Sequence, residues 1–253
     1  MYLTTQGLVL RVSAYNDNDA FLTILTGELG LVSAKVRGLR RKNSPLSAPC
    51  QLLCFAEFTL FEYKGAYTEN EAHTLQLFNG LRRDLQKLSL GTYFAQVSEL
   101  LSQEDLPNPE LLSLVLNCLY GLSELDVAEN QIKAVFELRS VCLAGYTPDL
   151  SHCHCCGNPV PERFDISEGA LECAGCRSGV STGIRLPVRP GVLDAMRYIC
   201  RCNSKQLFSF DLPKDSMEQL SQISETYLCT QLERGFSTLD FYKSLVYSNE
   251  LTN

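Results

Sequence analysis

Five of the twelve cysteines lie within 24 positions, and four of them have the spacing of metal ligands. Cys153 and Cys156 are separated by two residues, sixteen residues follow, and Cys173 and Cys176 repeat the two-residue gap. Two intervening residues allow a tight turn to direct both thiolates toward one ion about 2.3 Å away, so two such turns complete a tetrahedron. In a reducing compartment this spacing favours a metal site. The sequence therefore predicts one structural Zn²⁺ held by these four thiolates.

Neighbouring side chains leave the identity of the first ligand pair undecided. His152 and Cys155 are separated by the same two-residue gap as the first cysteine pair. The residues that could replace Cys153 as a ligand are therefore Cys155, His152 and His154. A reduced, metal-free cluster packed as small hydrophobic side chains and a transient disulfide are the alternatives to a metal site. Four thiolates leave no open coordination position, so a catalytic zinc is not expected.

A second segment that could do chemistry is basic. Five cations fall within eight positions that contain no acidic residue, and they are Lys35, Arg37, Arg40, Arg41 and Lys42. Guanidinium groups match phosphate oxygens with paired hydrogen bonds and Lys adds a point charge, so this basic segment could follow a nucleic-acid backbone. A charged loop that is merely solvated is the alternative. No base-reading group can be identified, so little sequence preference is expected.

The net charge of the whole chain hides the basic segment. That charge is −7 at pH 7, which taken alone argues against nucleic acid. Residues 1–80, however, contain seven basic and seven acidic residues, whereas residues 81–253 contain fifteen and twenty-two. A neutral part with one concentrated basic segment, joined to an acidic part, indicates two different kinds of partner.

Motifs of common enzymes are missing or lack their context. The sequence has no Gly-Lys pair, which excludes a P-loop nucleotide site. One G-x-S-x-G occurs at 179–183, but no histidine follows His154, so a serine hydrolase is not expected. Asp17 and Asp19 lie in a turn where no third carboxylate can be placed beside them, which makes them a weak Mg²⁺ site. The sequence therefore predicts a protein that is not an enzyme.

The elements that must position these residues change in character near residue 80. Before it, short runs rich in β-branched and apolar residues predict strands at 8–12, 21–25, 31–36, 55–63 and 66–78. In the fourth strand Phe58 and Leu60 lie on one face, whereas Phe61 and Tyr63 lie on the other. These two aromatic residues and Tyr15 could stack on bases. Five short strands are typical of an OB-type barrel, with a small sandwich or an open sheet as the alternatives.

Beyond residue 80 the apolar residues recur every three or four positions, as they do in helices. Asn108 followed by Pro109 predicts a helix N-terminus, and Gly145 and Gly235 predict helix ends. Such apolar stripes usually pack against other helices. The predicted fold class is α+β and multidomain. It comprises a five-stranded OB-type DNA-binding barrel over 1–80 and a helical domain over 81–253, with a four-cysteine, zinc-ribbon-like insert at about 148–186.

A membrane segment is not predicted. The longest apolar stretches stop far short of the roughly 18 residues that a membrane span needs. The first ten residues carry no Lys or Arg, so a secretory signal is not expected either. We expect a soluble, cytoplasmic protein with no membrane partner.

The order of features along the chain is itself specific. The N-terminal part contains a strand ending near Arg11, then Thr23-Ile24-Leu25-Thr26 and Gly30, and then Lys35-Val36-Arg37-Gly38 with the remaining cations. The helical part follows, with the two cysteine pairs and a closing helix at 237–245. This ordered set resembles the RecO family of bacterial DNA repair and recombination mediators. The resemblance spans nearly the whole chain.

The resemblance implies both a fold and a set of partners. RecO proteins have an N-terminal OB domain and a helical C-terminal domain, often with a four-cysteine zinc site. They bind single- and double-stranded DNA, anneal complementary strands, contact single-strand-binding protein, and join RecR to help load RecA. The resemblance therefore implies a bacterial, nucleoid-associated protein, and it matches the basic segment to the family's DNA-binding loop.

Two features depart from the family pattern. The extra Cys155 puts the first ligand pair in question. The acidic helical part is a poor match for relatives whose DNA surface continues onto it, so DNA binding is expected to depend mainly on the barrel or on RecR.

A site for one partner is also suggested. The tail of single-strand-binding protein is acidic and ends in apolar residues, which an apolar groove rimmed by Arg197 and Arg201 would suit.

Three functional interpretations follow. The leading one is a non-enzymatic DNA-binding and strand-annealing mediator. The second is a zinc-ribbon protein–protein adaptor whose basic segment binds no DNA. The third is a thiol-based redox sensor that uses Cys155.

Overall fold

Five N-terminal strands close into a barrel, as the sequence predicts. The structure is a computed structural model and describes residues 1–176 and 183–250. The strands are β1 (Tyr2–Ala14), β2 (Ala20–Thr26), β3 (Leu31–Val36), β4 (Phe55–Tyr63) and β5 (Ala66–Gln76). Around the barrel their order is β1-β2-β3-β5-β4. β3 and β5 run parallel and the other neighbours run antiparallel, so the barrel is OB-like.

Alternating apolar side chains fill the barrel. In β4, Ala56, Phe58 and Leu60 are fully buried, whereas Phe61 and Tyr63 on the opposite face are exposed. Burial of one face of a strand in this way is what the two-residue period of a half-buried strand requires. The two faces predicted for this strand are therefore confirmed.

Helices follow the barrel, and a small sheet interrupts them. The helices are α1 (Asn79–Arg82), α2 (Leu85–Leu100), α3 (Pro109–Glu124), α4 (Glu129–Leu143), α5 (Pro190–Arg201), α6 (Lys214–Gln231) and α7 (Ser237–Glu250). The sheet between α4 and α5 comprises β6 (Asp149–Cys153), β7 (Arg163–Asp165), β8 (Ala170–Glu172) and β9 (Arg185–Pro187), in the order β6-β8-β7-β9. None of the helices in the described part combines the length and apolar character needed to cross a membrane.

Helix ends follow their local chemistry. The side chain of Asn108 accepts the backbone N–H of Leu111 at 3.1 Å, and Pro109 occupies the first turn of α3. Gly145 has a φ of +91° just beyond α4, a conformation that favours glycine. Both predictions are confirmed.

The structure has two compact units. One contains Met1–Leu125 and Phe236–Asn253, and the other contains Asp126–Gly235. In the first unit α2 packs against β1, where the guanidinium of Arg11 lies 2.9 Å from a carboxylate oxygen of Glu99. Strands do give way to helices near residue 80, but the units do not divide there, because α2 and α3 pack against barrel strands and α7 packs against α2. Domains at 1–80 and 81–253 stay a prediction.

The second unit contains α4, α5, α6 and the small sheet. Its insert begins and ends with strands, from Asp149 to Pro187, and the cysteine pairs lie within it. The G-x-S-x-G motif at 179–183 falls mostly outside the described residues, because 179–182 are not among them.

Candidate functional site

Four sulfur atoms of the insert lie together. Cys153 ends β6, Cys173 follows β8 directly, and a turn after each brings in Cys156 and Cys176. The four Sγ atoms lie within 4.8 Å of one another, and Cys156 and Cys173 are 3.8 Å apart. A tetrahedron with metal–sulfur bonds of about 2.3 Å has edges of about 3.8 Å. The cluster could therefore hold a metal ion, and its all-thiolate donor set fits zinc.

Backbone amides stabilise the thiolate of Cys153. This sulfur is fully buried, and the backbone N–H of Cys173 donates to it at 3.3 Å. Burial disfavours the thiolate, but N–H donors from Cys156, Cys155 and Cys173 outweigh it and lower the pKa of Cys153 to about 6. The side-chain amide of Asn158 donates to the sulfur of Cys173 at 3.1 Å. A ligand must be deprotonated, so the donors around Cys153 favour a bound ion there. The hydrogen bond with Cys156 and burial, by contrast, raise the pKa of Cys176 to about 12, and the pKa of Cys173 is raised despite the amide of Asn158.

The structure separates the alternatives that the spacing left open. His154, Cys155 and the buried Glu172 form a different group, with ligand atoms within 4.8 Å of one another. His152 instead lies 2.7 Å from the hydroxyl of Ser151 through its Nδ1. The four-sulfur cluster therefore contains Cys153, and none of the three alternative ligands belongs to it.

The basic segment forms the end of β3 and the turns that follow it. Arg37, Arg40, Arg41 and Lys42 are exposed, whereas Lys35 is half-buried on β3. None of the four exposed cations forms an ion pair with a carboxylate of the described residues. Four positive side chains therefore face solvent at one edge of the barrel.

The turn between β1 and β2 holds the basic segment in place. The backbone N–H of Gly38 donates to Asp19 at 2.9 Å, and the guanidinium of Arg40 donates to the carbonyl of Asn16 at 2.7 Å. The φ of Gly38 is +68°, so glycine is favoured there. Asp19, which the sequence marked only as half of a weak Mg²⁺ pair, fixes this turn instead. An Asx residue preceding a strand was the available signal.

The three aromatic residues that could stack on bases do not lie together. The ring of Tyr15 lies under Lys35, with Nζ 4.5 Å from the ring centroid, so this aromatic residue belongs with the basic segment. Phe61 and Tyr63 lie on β4, which is not a neighbour of β3 in the barrel. Phe61 packs against Tyr2 with their ring centroids 5.1 Å apart.

Both the barrel and the helical part match known protein families. Residues 1–78 match the family described as Recombination protein O N terminal, and residues 82–240 match Recombination protein O C terminal. The chain belongs to the RecO family.

Individual relatives span almost the whole chain. The DNA repair protein RecO of Acetivibrio thermocellus is 33% identical over 246 residues, covering 96% of this chain and 97% of the relative. The DNA repair protein RecO of Alkaliphilus metalliredigens is 27% identical over 97% of this chain and 100% of the relative. The DNA repair protein RecO of Bacillus subtilis is 25% identical over 90% of this chain and 88% of the relative. These relatives support a role in DNA repair for this RecO family member.

The two arginines of the suggested partner site differ in their surroundings. The guanidinium of Arg197 donates to the carbonyls of Leu150 and Ser151, at 2.7 and 3.2 Å, and lies 3.3 Å from Asp194. It therefore ties α5 to β6. Arg201 is exposed at the last turn of α5.

Proposed function

We propose that this RecO family member is a non-enzymatic mediator of recombinational DNA repair that binds DNA and anneals complementary strands. The observation that carries the proposal is the basic segment at the edge of an OB-like barrel. Its four exposed cations have no carboxylate partner among the described residues. Phosphate contacts are common to single- and double-stranded DNA, so both are proposed ligands.

Annealing needs no covalent chemistry. Two DNA strands repel each other because each carries one negative charge per phosphate. Cationic side chains that contact the phosphates lower this repulsion and release counterions, and base pairing then drives the strands together. The DNA-binding residues of the proposal are Lys35, Arg37, Arg40, Arg41 and Lys42.

The four-sulfur cluster has a structural role in this proposal. Cys153, Cys156, Cys173 and Cys176 would hold one Zn²⁺, and the bound ion would supply folding free energy rather than reactivity. The strands of the insert are only three to five residues long. A cross-link through four thiolates therefore explains how so small a sheet is held together.

The proposed protein partners are RecR and the tail of single-strand-binding protein, acting together to help load RecA at the bacterial nucleoid. Arg197 and Arg201 are the proposed tail contacts. Since Arg197 also ties α5 to β6, the single change Arg201→Ala isolates the partner role. A titration with the acidic tail peptide should show weaker binding for this variant, with Lys205→Ala as the control. Unchanged affinity in Arg201→Ala would remove this site.

A strand-annealing assay tests the proposal. Two complementary oligonucleotides, one with a fluorophore and one with a quencher, report duplex formation. We expect the protein to accelerate annealing, and the triple change of Arg40, Arg41 and Lys42 to Ala to slow it about tenfold. A control that removes three exposed cations elsewhere carries Ala at Lys64, Arg83 and Lys214.

Two results of this assay would contradict the proposal. If the triple variant anneals strands as fast as the unmodified protein, the basic segment is not the DNA site. If the unmodified protein neither binds nor anneals DNA, the zinc-ribbon adaptor is the better description.

A further inference from the structure

Two thiols outside the insert lie in contact. Cys142 is on the last turn of α4 and Cys200 is on the last turn of α5, 58 residues later, yet their sulfur atoms are 3.7 Å apart. Both side chains are partly exposed. A disulfide bond is about 2.05 Å long, so the sulfurs would have to approach by about 1.7 Å. Side-chain rotation at two helix ends supplies movements of this size.

A cation holds the two helices in this arrangement. The guanidinium of Arg139, one turn before Cys142 on α4, donates to the carbonyls of Ile199 and Cys200 at 3.4 and 3.1 Å. The positive charge therefore lies beside the thiol pair and fixes the end of α5 against α4. A positive charge near a thiol favours the thiolate, which is the reactive form.

The two sulfurs are electrostatically unequal. The hydrogen bond with Cys200 lowers the pKa of Cys142 to about 7, assisted by the hydroxyl of Thr147 and the charge of Arg139, although burial opposes the shift. The same hydrogen bond and burial raise the pKa of Cys200. Cys142 is therefore the member of the pair that forms a thiolate more readily near neutral pH, with the thiol of Cys200 beside it.

We propose that Cys142 and Cys200 form a reversible oxidation site that reacts with low-molecular-weight disulfides. The thiolate of Cys142 attacks one sulfur of the small disulfide, forming a mixed disulfide and releasing the first small thiolate, which takes a proton from water. Cys200 then loses its proton to solvent and attacks Sγ of Cys142, which expels the second small thiolate, and this thiolate takes a proton from solvent. The protein dithiol is oxidised to one disulfide, and one small disulfide is reduced to two thiols.

The other nearby cysteine is less suited to the reaction. Cys202 lies two residues beyond Cys200, and its sulfur donates to the carbonyl of Ile199 at 3.6 Å. Burial raises the pKa of Cys202 above its ordinary value despite the charge of Arg139. Cys202 is therefore a matched control in the same segment.

Peptide mapping of the full, zinc-loaded chain tests the proposal. The protein is incubated with oxidised glutathione, free thiols are alkylated, and peptides are identified by mass spectrometry. We expect a cross-linked pair of peptides containing Cys142 and Cys200, reversed by dithiothreitol, in the unmodified protein and in Cys202→Ser. Because this measurement needs no substitution at the pair itself, it does not depend on how a variant folds.

The substituted proteins test the order of the steps. In Cys200→Ser the second step has no nucleophile, so glutathione should remain attached to Cys142. In Cys142→Ser the attachment of glutathione to Cys200 should be several-fold slower than its attachment to Cys142 in Cys200→Ser, because burial still raises the pKa of Cys200. The proposal is overturned if the unmodified protein forms no Cys142–Cys200 cross-link, or if Cys200→Ser carries glutathione on other cysteines but not on Cys142. Neither result depends on DNA binding.

Discussion

The carboxylate of Asp19 lies 3.5 Å from Nζ of Lys35 while it accepts the backbone N–H of Gly38 at 2.9 Å. One side chain thus closes the turn that carries the basic segment and also neutralises one of its five cations. The N–H of Gly38 is the main cause of the lowered pKa of Asp19, with smaller contributions from Asn16 and Lys35. The geometry of the segment and its charge can therefore be changed separately.

Asp19→Asn should strengthen DNA binding. The amide oxygen of Asn can still accept the N–H of Gly38, but the negative charge beside Lys35 is gone. Removing one charge at this distance in a partly exposed site should tighten binding by about threefold to fivefold at low salt, and less at high salt. Fluorescence anisotropy with a labelled single strand measures the change.

Asp17→Asn is the matched control for this prediction. It removes the same charge from the same turn, and in the described residues Asp17 makes no ion pair with the basic segment. An equal gain in both variants would mean that only net charge matters and that Lys35 has no specific role.

Metal content should depend on the four clustered sulfurs and not on Cys155. Cys155→Ser should retain one zinc per chain, because its sulfur lies outside the cluster. Cys173→Ser should lose zinc and become insoluble, since structural zinc contributes on the order of 10–16 kcal/mol in small zinc peptides. Elemental analysis of purified Cys155→Ser and of any soluble Cys173→Ser, together with the soluble yield of each variant, measures these effects. Loss of zinc in Cys155→Ser, or a soluble and fully helical Cys173→Ser without metal, would contradict the assignment.

A buried carboxyl group in the barrel should make stability depend on pH. Glu69 on β5 is only 4% exposed, and neither of its carboxyl oxygens has a hydrogen-bond partner in the described part of the chain. Burial, with a smaller effect of Glu71, raises the pKa of Glu69 to about 7. Because the folded pKa lies above the unfolded one, the folded state keeps a proton that the unfolded state releases. The free energy of unfolding therefore falls as the pH rises from about 4.5 to 7.

Glu69→Gln should remove this dependence. The neutral amide has no charge to bury, so the free energy of unfolding of the variant should not fall over this pH range. The difference in free energy of unfolding between the variant and the unmodified protein should therefore be about 2 kcal/mol larger at pH 8 than at pH 5. Urea unfolding at both pH values measures the difference. A gain that does not grow with pH would mean that Glu69 is not buried as a charge above neutral pH.

The second unit contains a buried ion-pair network that should be sensitive to the loss of one member. Nζ of Lys133 lies 3.0 Å from Glu137 and 2.8 Å from Glu225, and Lys133 and Glu137 are almost completely buried. Lys133→Met leaves Glu137 as a buried charge, which should cost about 3–5 kcal/mol of stability. Urea unfolding provides the measurement.

A double substitution and an exposed pair serve as controls for the network. Lys133→Met combined with Glu137→Leu should lose less stability than Lys133→Met alone, because the fully buried charge of Glu137 is removed and only the partly exposed carboxylate of Glu225 keeps its charge. Lys214 and Glu218 are an exposed pair with the same spacing, 3.9 Å apart, and Lys214→Met should leave the unfolding midpoint unchanged. A double variant less stable than the single one would show that the network is not held by charge pairing.

Local patterns predicted the elements well, because burial and capping act over a few residues. The two-residue gaps predicted the cysteine turns, and Asn108 with Pro109 predicted the start of α3. The first strand was predicted over 8–12 but spans Tyr2–Ala14. Its first half is polar on the surface and is held by backbone pairing with β4, which leaves no apolar signal. The helix predicted to end at Gly235 ends at Gln231, because Glu233 takes the left-handed conformation with a φ of +49°.

Contacts between distant segments were not predictable from these patterns. Nothing in the spacing of Cys142 and Cys200 indicates that helix packing brings their sulfurs together. The role of Asp19 also depends on a partner 19 residues away, Gly38. The two compact units depend on which helices pack with the barrel, and periodicity identifies an apolar face without identifying what it packs against.

The salt dependence of single-strand binding tests the central claim most directly. If all five cations of the basic segment contact phosphates, the logarithm of the affinity should fall against the logarithm of the salt concentration with a slope of roughly −3 to −4. Replacing Arg40, Arg41 and Lys42 by Ala should weaken binding and reduce the steepness of this slope by about 2. An unchanged affinity and slope in this triple variant would show that the basic segment does not bind DNA.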